Sequence, residues 1–343
     1  MEKHLLLRHH IFFMIAQLTK EYIHFSKRKT IKRLVAYFFF EGRPITTKGQ
    51  WINPLVLLWL KFLKLFSVSP KQSPVFIIGT GRSGTTLLGM LLSMHRDIIF
   101  LNEPKIIWYA ANRMDDAIGS YNKSAGTYLL NESDATNNVI KTIHSVYGCL
   151  NKITGSKLIA DKYPELIFRM DYALKIFIDA KFIFITRNFY DTIYSTQLWN
   201  KNKTVIKNNT REDWWGLDNR KWKLICKELV PQSFLLKNHI QEIILFKDDI
   251  LKSAVEWIIT MEKGIEEMGI RKNIVQIKYE QLISDHKSSL QTLISFLQLP
   301  SDEKVFDYAQ SVIKSERKNN DAMFELPSFL SDGAILLMKK LQY

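Results

Sequence analysis

A glycine-rich segment at residues 79–86 carries the residue types best suited to binding an anion. It follows an apolar, β-branched run at 75–78 and precedes the apolar positions of a predicted helix, so it joins a buried strand to a helix. Glycines let successive backbone N–H groups converge, and the start of a helix adds a positive dipole. Hydroxyl and guanidinium donors complete the candidate set, which is Gly81, Arg82, Ser83, Gly84, Thr85 and Thr86. The segment predicts a site for phosphate or sulfate oxygens, and the alternative interpretation is an ordinary tight turn.

The spacing from Gly79 to Gly84 nearly matches the loop of nucleoside triphosphatases, in which a lysine follows the last glycine. Thr85 occupies that lysine position here. An enzyme that transfers phosphoryl groups from a magnesium-bound nucleotide needs the lysine on the outer phosphates. The departure therefore favours a ligand with a phosphate-like group over magnesium–ATP chemistry.

A second candidate anion contact is Arg187, which directly follows an apolar run at 182–186. Asn188 is placed to cap the next helix, and Asp191 has the spacing of a short-chain capping box. An arginine beside a helix start is by itself more often structural than ligand-binding. Its combination with the glycine-rich loop favours a role in binding.

Together the two segments resemble the sulfotransferase family, whose members use 3′-phosphoadenosine 5′-phosphosulfate (PAPS) as sulfuryl donor. Residues 76–88 are similar to the family's 5′-phosphosulfate loop. Residues 182–195 are similar to its 3′-phosphate segment, in which a serine follows the strand-end arginine by eight residues. The resemblance covers about residues 74–300 and implies that Arg187 and Ser195 hold the 3′-phosphate.

Three further residues carry over from this resemblance, and the spacing is closest to the protein-tyrosine, Golgi-type and bacterial branches. It implies that Glu103 is the general base, that Lys162 touches the leaving phosphate and that Tyr279 lies near the nucleotide. The predicted catalytic set is Arg82, Glu103 and Lys162. In-line attack on sulfur needs a proton acceptor and cations that stabilise the leaving oxygen. No metal ligand is predicted. Alternatively, Glu103 is an ordinary surface carboxylate and Lys162 a solvated side chain, and the base is a different residue such as His239.

An α/β fold must position these residues. Candidate strands at 98–101, 157–160, 182–186 and 274–278 alternate with helical patterns, as does the apolar run before the loop. This alternation predicts a mainly parallel central sheet with the site at the carboxyl ends of its strands. With the resemblance, the expected fold is a three-layer sandwich of the P-loop nucleoside triphosphatase type. The predicted domains are a basic helical arm at 1–73 and a sulfotransferase-like domain at 74–343.

The arm holds 13 of the 48 Lys and Arg residues but only 3 of the 34 Asp and Glu residues, which gives it +10 of the net charge of +14. Its longest stretches without Lys, Arg, Asp or Glu span 11 and 12 residues, at 9–19 and 49–60. A membrane span needs about 20 apolar residues. Two interpretations stay open: the arm lies on an anionic membrane surface, or it packs on the main domain. Nucleic acid is not a predicted partner, because the rest of the chain carries only +4.

The composition excludes a disordered, collagen-like or disulfide-rich protein, because the 343 residues are 46% hydrophobic and include only 14 Gly and 2 Cys. Cys149 and Cys226 are predicted to be buried thiols. Free cysteines and the lack of a convincing signal peptide favour the cytoplasm or the cytoplasmic face of a membrane. The Golgi members of the resembling family keep a lumenal placement open.

The acceptor is predicted only as a hydroxyl compound, which is a saccharide, a lipid or a peptide tyrosine. Trp199, Trp214, Trp215 and Trp222 lie in a polar stretch that suits a sugar or amphipathic substrate, or that anchors a surface insertion. Two other function classes also stay open. They are a different nucleotide-dependent phosphoryl-transfer enzyme and a catalytically silent, membrane-associated anion-binding protein.

Overall fold

A parallel β-sheet forms the centre of the protein. The computed structural model describes residues 15–44, 46–207, 210–313 and 324–343. The strands are β1 Val75–Gly79, β2 Ile98–Asn102, β3 Leu158–Lys162, β4 Lys181–Thr186, β5 Val205–Lys207, β6 Thr210–Asp213, β7 Gly216–Leu217 and β8 Ile274–Lys278. The central sheet has the order β2-β3-β1-β4-β8, and all its neighbouring strands are parallel.

The predicted α/β class is confirmed, and each of the five candidate strands singled out in the sequence forms a strand of the central sheet. β1 lies in the middle, and the chain leaves it first toward β2 and β3 on one side and then toward β4 and β8 on the other. Ligands of open α/β sheets bind at such a reversal of strand order, beyond the carboxyl ends of the strands. The glycine-rich loop follows β1 and therefore occupies this position.

Helices connect the strands and cover both faces of the sheet. The α-helices are α1 Lys20–Phe25, α2 Lys27–Phe39, α3 Asn53–Leu63, α4 Thr85–Ser93, α5 Lys105–Ala111, α6 Asn137–Thr154, α7 Met170–Ile176, α8 Phe189–Lys203, α9 Arg220–Leu224, α10 Ile240–Ile243, α11 Asp249–Ile270, α12 Tyr279–Ser284, α13 His286–Phe296, α14 Glu303–Val312 and α15 Ser328–Lys340. Short helical turns lie at Ile15–Gln17, Gln50–Ile52, Glu132–Asp134, Pro164–Arg169, Ile225–Leu229, Val230–Gln232 and Lys237–His239.

Two hydrophobic cores lie on the two faces of the sheet. In β1, Phe76 and Ile78 enter the core that contains Trp257 of α11, whereas Val75 and Ile77 enter the core that contains Leu88 of α4. Successive side chains of a strand point to opposite faces, so a strand buried on both faces must be apolar throughout. This requirement explains the uninterrupted apolar runs of the sequence and gives the three layers of the fold.

The described part of the predicted arm covers the edge of the sheet at β2. The buried Lys29 donates a hydrogen bond to the carbonyl of Ile98 at 2.9 Å. Arg33 and Glu41 form a buried ion pair with an N–O distance of 2.6 Å, and Glu41 accepts a hydrogen bond from the N–H of Asn102 at 2.7 Å. A covered edge cannot pair with the strand of another chain. The arm is therefore joined to the domain through the strand that leads to Glu103.

Residues 1–14 of the predicted arm, with His4, His9 and His10, lie outside the described residues. In the part that is described, none of the helices combines the length and the apolar character needed to cross a bilayer. Cys149 and Cys226 are buried and form no disulfide, as the sequence predicted.

The segment that holds the four tryptophans includes a small antiparallel sheet of β5, β6 and β7. Trp215 is fully buried and Trp222 is nearly so, and their rings meet edge to face at a centroid distance of 5.7 Å. These two side chains anchor the insertion to the domain.

Candidate active site

Every strand of the central sheet leads directly to a predicted site residue. The glycine-rich loop follows β1, Glu103 follows β2, Lys162 ends β3, Arg187 follows β4 and Tyr279 follows β8. Because the strands are parallel, their carboxyl ends meet at one edge of the sheet. Residues separated by as many as 200 positions in the chain are thus brought to the same edge.

The loop between β1 and α4 has a backbone that only glycine adopts easily at its last position. Gly84 has a φ of 87°, in the left-handed region, and a Cβ built on it would lie 2.3 Å from the Tyr279 ring. Arg82 also has a positive φ, 69°. Thr85 begins α4 and is buried. The loop therefore turns tightly into the start of the helix and is held against Tyr279, as an anion cradle requires.

Buried polar atoms of this region lack a partner among the described residues. They are the hydroxyls of Thr80 and Ser83 and the Nε of Arg187. A buried donor left without a partner costs about 1–3 kcal/mol. An anion with several oxygens is the kind of ligand that satisfies such a set of donors at once.

Arg187 and Ser195 lie beside the loop. An Nη atom of Arg187 donates a hydrogen bond to the carbonyl of Arg82 at 2.9 Å, and Nε of Arg82 donates one to the hydroxyl of Ser195 at 3.2 Å. The Arg187 guanidinium lies over the Tyr279 ring, 4.4 Å from its centroid. Although Arg82 reaches solvent, desolvation of its guanidinium and then the neighbouring charge of Arg187 lower its pKa. Two cations held this close form a natural site for an anion.

Two groups that the sequence did not reveal hold Arg187 in place. Asn188 caps α8 as expected, with its side-chain oxygen accepting from the N–H of Tyr190 at 3.0 Å. The N–H of Asn188 itself donates to Glu280 at 2.8 Å, and the indole of Trp257 donates to the carbonyl of Arg187 at 3.0 Å. Both partners come from other elements, α12 and α11, so no local pattern identifies them.

Glu103 and Lys162, the predicted base and leaving-group cation, form an ion pair with each other. The N–H of Glu103 also donates to the carbonyl of Lys162 at 2.8 Å, and its backbone adopts a positive φ of 51°. The Lys162 side chain is only 6% exposed, whereas that of Glu103 is 35% exposed. The carboxylate is therefore reachable from solvent while its cation is not.

A second buried lysine completes this corner of the site. Lys105 lies 3.4 Å from the carboxylate of Glu103 and 2.6 Å from that of Glu165. Burial alone would raise the pKa of Glu103, but the charges of Lys162 and Lys105 outweigh it and hold the pKa well below its usual range. The two carboxylates raise the pKa of Lys105 against the effect of burial. Lys105 and Glu165 were not among the predicted site residues; the available signal was a lysine two residues after Glu103, at a helix start.

The four tryptophans divide into two pairs with different surroundings. Trp215 and Trp222 are anchors, as described above. Trp214 lies against the loop, where a Cβ on Gly81 would meet its ring at 2.2 Å. Its indole N–H donates to Glu256 at 2.7 Å, and its ring makes an edge contact with Trp199 at a centroid distance of 5.2 Å. The insertion thus places an aromatic surface directly on the predicted anion-binding loop.

A cavity of about 500 Å³ lies along α8, the helix of Ser195. Most of its lining residues are of polar type, and they are Tyr194, Gln197, Leu198, Asn200, Lys201, Thr204, Arg211 and Asp249. Asn200 joins it to the aromatic surface, because its side chain accepts a hydrogen bond from the N–H of Trp214 at 2.9 Å. His239, the alternative base, stacks on Phe329 of α15 with a centroid distance of 4.0 Å.

Comparison with known proteins finds similarity to one family. Residues 74–235 match the model of the sulfotransferase family. Similar solved structures include the sulfotransferase domain from the curacin biosynthetic pathway, with 14% identity, a TM-score of 0.48 and coverage of 80% of this chain and 99% of that one. Sulfotransferase STF1 from Mycobacterium tuberculosis H37Rv has 12% identity, a TM-score of 0.44 and coverage of 94% and 93%. Mouse sulfotransferase SULT7A1 complexed with PAP has 17% identity, a TM-score of 0.37 and coverage of 74% and 68%.

No curated protein sequence matches the chain. The family match begins one residue before β1 and contains the loop, Glu103, Lys162, Arg187 and Ser195. Over residues 74–235, the chain is similar to the sulfotransferase family.

Proposed function

We propose that the protein transfers the sulfuryl group of PAPS to a hydroxyl acceptor and releases adenosine 3′,5′-bisphosphate. The observation that carries this proposal is the convergence of the two anion-binding segments. Arg187 donates a hydrogen bond to the carbonyl of Arg82 in the loop, and the Arg82 side chain donates one to Ser195. A ligand with two separate anionic groups, one at each end of a nucleoside, needs two such segments side by side.

The donor would be held by side chains that now lack partners or contact each other. The loop amides with Ser83, Thr85 and Thr86 would bind the 5′-phosphosulfate, next to the tight glycine positions Gly81 and Gly84. Arg187 and Ser195 would bind the 3′-phosphate, and Tyr279, which contacts Gly84 and Arg187, would lie near the nucleotide. The hydrogen bond between Arg82 and Ser195 would yield to the incoming phosphate oxygens.

The chemistry would use the carboxylate and the cations at the carboxyl ends of β1, β2 and β3. Glu103 would accept the hydroxyl proton as the acceptor oxygen forms its bond to sulfur. The bond between sulfur and the phosphate oxygen breaks at the same time, and its electrons go to that oxygen. Lys162 and Arg82, with the start of α4, would stabilise the negative charge that develops there.

The ion pair between Glu103 and Lys162 suggests how donor binding prepares the base. A carboxylate whose pKa is held low by two lysines is a weak proton acceptor, and general bases work best with a pKa near the working pH. An anionic donor beside Lys162 would pair with this lysine and weaken the interaction between Lys162 and Glu103. The basicity of Glu103 would then rise only when the donor is present, which couples proton removal to sulfuryl transfer.

Acceptor binding would involve the surface of Trp199 and Trp214 beside the loop. Aromatic faces next to polar donors suit a saccharide or an amphipathic hydroxyl compound. A panel of saccharide, lipid and tyrosine-peptide acceptors, with adenosine 3′,5′-bisphosphate release as the readout, separates these classes.

Thermal-shift titration tests the proposal. Adenosine 3′,5′-bisphosphate should raise the melting temperature, and ATP with magnesium should not, because a ligand that binds only the folded state stabilises it. Arg187→Ala should abolish the shift. Arg96→Ala, which removes an exposed arginine beyond the other end of α4, is the matched control and should preserve it. Equal stabilisation by magnesium–ATP, or no response to the bisphosphate, would contradict the proposal.

A further inference from the structure

An exposed apolar stripe runs along α3 in the arm and continues two residues beyond each end of the helix. It consists of Trp51, Leu55, Leu58, Phe62 and Leu65, which we call the arm stripe, and its members are between 48% and 76% exposed. Their spacing of four, three, four and three residues places them on one face of a helix. The opposite face, with its buried residues Val56, Leu60 and Leu63, packs into the core. The helix is therefore apolar on both sides, although only one side has a partner among the described residues.

Neighbouring aromatic residues widen the arm stripe into a continuous patch. Trp59 contacts Phe39 of α2 at a centroid distance of 6.1 Å and Phe62 at 5.7 Å, and Phe62 contacts Phe66 at 5.1 Å. Phe39 is 51% exposed and Phe66 is 46% exposed. Single exposed apolar residues are common on protein surfaces, but contiguous patches mark sites of interaction with a protein or a membrane.

The chain segment that carries the patch has charge of a single sign. No Asp or Glu occurs between residues 42 and 96, whereas the same stretch contains several lysines. Lys48, Lys61 and Lys71 are exposed, and Lys64 donates a hydrogen bond to Asn138. A partner of this surface must therefore accept apolar side chains in its centre and positive charge around them.

We propose that the arm stripe docks on an anionic lipid bilayer, with α3 lying in the plane of the interface. An exposed helix face with an apolar stripe, a tryptophan at one end and lysines in the same segment has the composition of interfacial helices. Anionic lipids attract the lysines, and the acyl boundary accepts the apolar side chains. A second copy of the chain is a poorer partner, because a twofold contact through the stripe would bring the lysines of two positively charged segments together.

The docking surface is fixed to the body of the protein. α3 packs against α5, the helix that begins two residues after Glu103. Gly42, in the segment between α2 and α3, also lies close to α5, because a Cβ built on it would be 2.8 Å from the Cβ of Ile106. A bilayer bound to the stripe would thus hold the whole domain at the membrane surface. This inference is independent of sulfuryl transfer.

Vesicle flotation of the full chain tests the proposal. The probes are vesicles of phosphatidylcholine alone and vesicles with about one-third phosphatidylserine, an anionic lipid. The wild-type protein should float with the anionic vesicles, and L55S/L58S/F62S should lower the bound fraction at least tenfold. The variant I178S/F234S/L245S is the matched control, because it removes similarly exposed apolar residues outside the arm, and it should bind like the wild type.

A charge-reversal variant, K48E/K61E/K71E, keeps the arm stripe and should lose the preference for anionic vesicles. Urea unfolding of every variant shows whether it is folded. Wild-type protein that does not float with anionic vesicles would overturn the proposal, as would equal flotation of the stripe variant. A concentration-dependent dimer, seen by light scattering and abolished by L55S/L58S/F62S, would overturn it in favour of a second copy.

Discussion

The two sides of the candidate active site treat charge in opposite ways. The anion side, made of the loop with Arg187 and Ser195, holds two guanidinium groups close together and has buried donors without partners among the described residues. The carboxylate corner, made of Glu103, Lys105, Lys162 and Glu165, alternates acid and base so that each of its charges is paired.

The difference separates binding from catalysis. Unsatisfied donors and neighbouring like charges destabilise the ligand-free protein locally, and an anion relieves both. Paired charges keep the carboxylate corner stable in a nearly buried environment, where a lone charge would be costly. The anion side is thus built to gain from a ligand, and the carboxylate corner is built to persist without one. The following predictions test this contrast.

The largest effect is expected from Glu103→Gln. Loss of the general base should lower turnover by about 10³. The thermal shift with adenosine 3′,5′-bisphosphate should be preserved, because the anion side is untouched. Glu266→Gln, at an exposed surface carboxylate, is the control and should be fully active. Turnover at the parental rate would show that the base lies elsewhere, for example at His239.

Removal of the cations Lys162 or Arg82 by substitution with alanine should lower turnover by about 10². Lys162→Ala should also raise the pKa of Glu103, since Lys162 is one of the two charges that lower it. The base works only when deprotonated, so the acidic limb of the pH–rate profile should move to higher pH. Lys157→Ala, at an exposed lysine preceding β3, provides the comparison. An unmoved acidic limb would contradict the pairing of Glu103 with Lys162 in solution.

Removal of a cation should change the free energy of unfolding by different amounts on the two sides. Lys105→Met leaves Glu165 buried without its cation and should lower the free energy of unfolding by about 2 kcal/mol, less than for a fully buried pair because Glu103 keeps Lys162. Arg187→Ala should change it by less than about 0.5 kcal/mol, because the repulsion with Arg82 is relieved. Urea unfolding measures both values. Similar losses for the two variants would remove the contrast between the two sides.

A further stability prediction concerns Asp161, next to Lys162 in β3. Its side chain is fully buried, accepts a hydrogen bond from Trp108 at 3.1 Å and another from Tyr147, and burial raises its pKa to about 7. The folded state then binds a proton that the unfolded chain releases near pH 4, so stability should fall as pH rises from about 4 to about 7, by at most about 1.4 kcal/mol per pH unit. Asp161→Asn should flatten this decline. If the free energies of unfolding of the wild type and of Asp161→Asn changed with pH in parallel, Asp161 would not be the cause of the decline.

Much of the fold followed from local patterns. Strands buried on both faces must be rich in apolar residues, and such runs mark β1 to β4, whereas the edge strand β8 is only partly buried. The loop was recognisable because glycine, hydroxyl and arginine residues are contiguous in it. Arg187 and Ser195 were recognisable because Arg187 directly follows a strand and Ser195 lies eight residues later, in the next helix. These signals depend on residues that are close in the chain, and a sequence displays them directly.

The sequence alone determined the α/β class, the strand-loop-helix at residues 79–86 and the sulfotransferase resemblance, because each is written in short, contiguous patterns. Only the tertiary structure decided that Lys105 and Lys162 share Glu103, that Trp214 lies on Gly81 and that the arm covers β2. The order of strands brings β2 beside β3, with Asn102 opposite Lys162, and so creates the charge network of the carboxylate corner. Such contacts join residues far apart in the chain through the packing of whole elements, and packing has no local sequence signature.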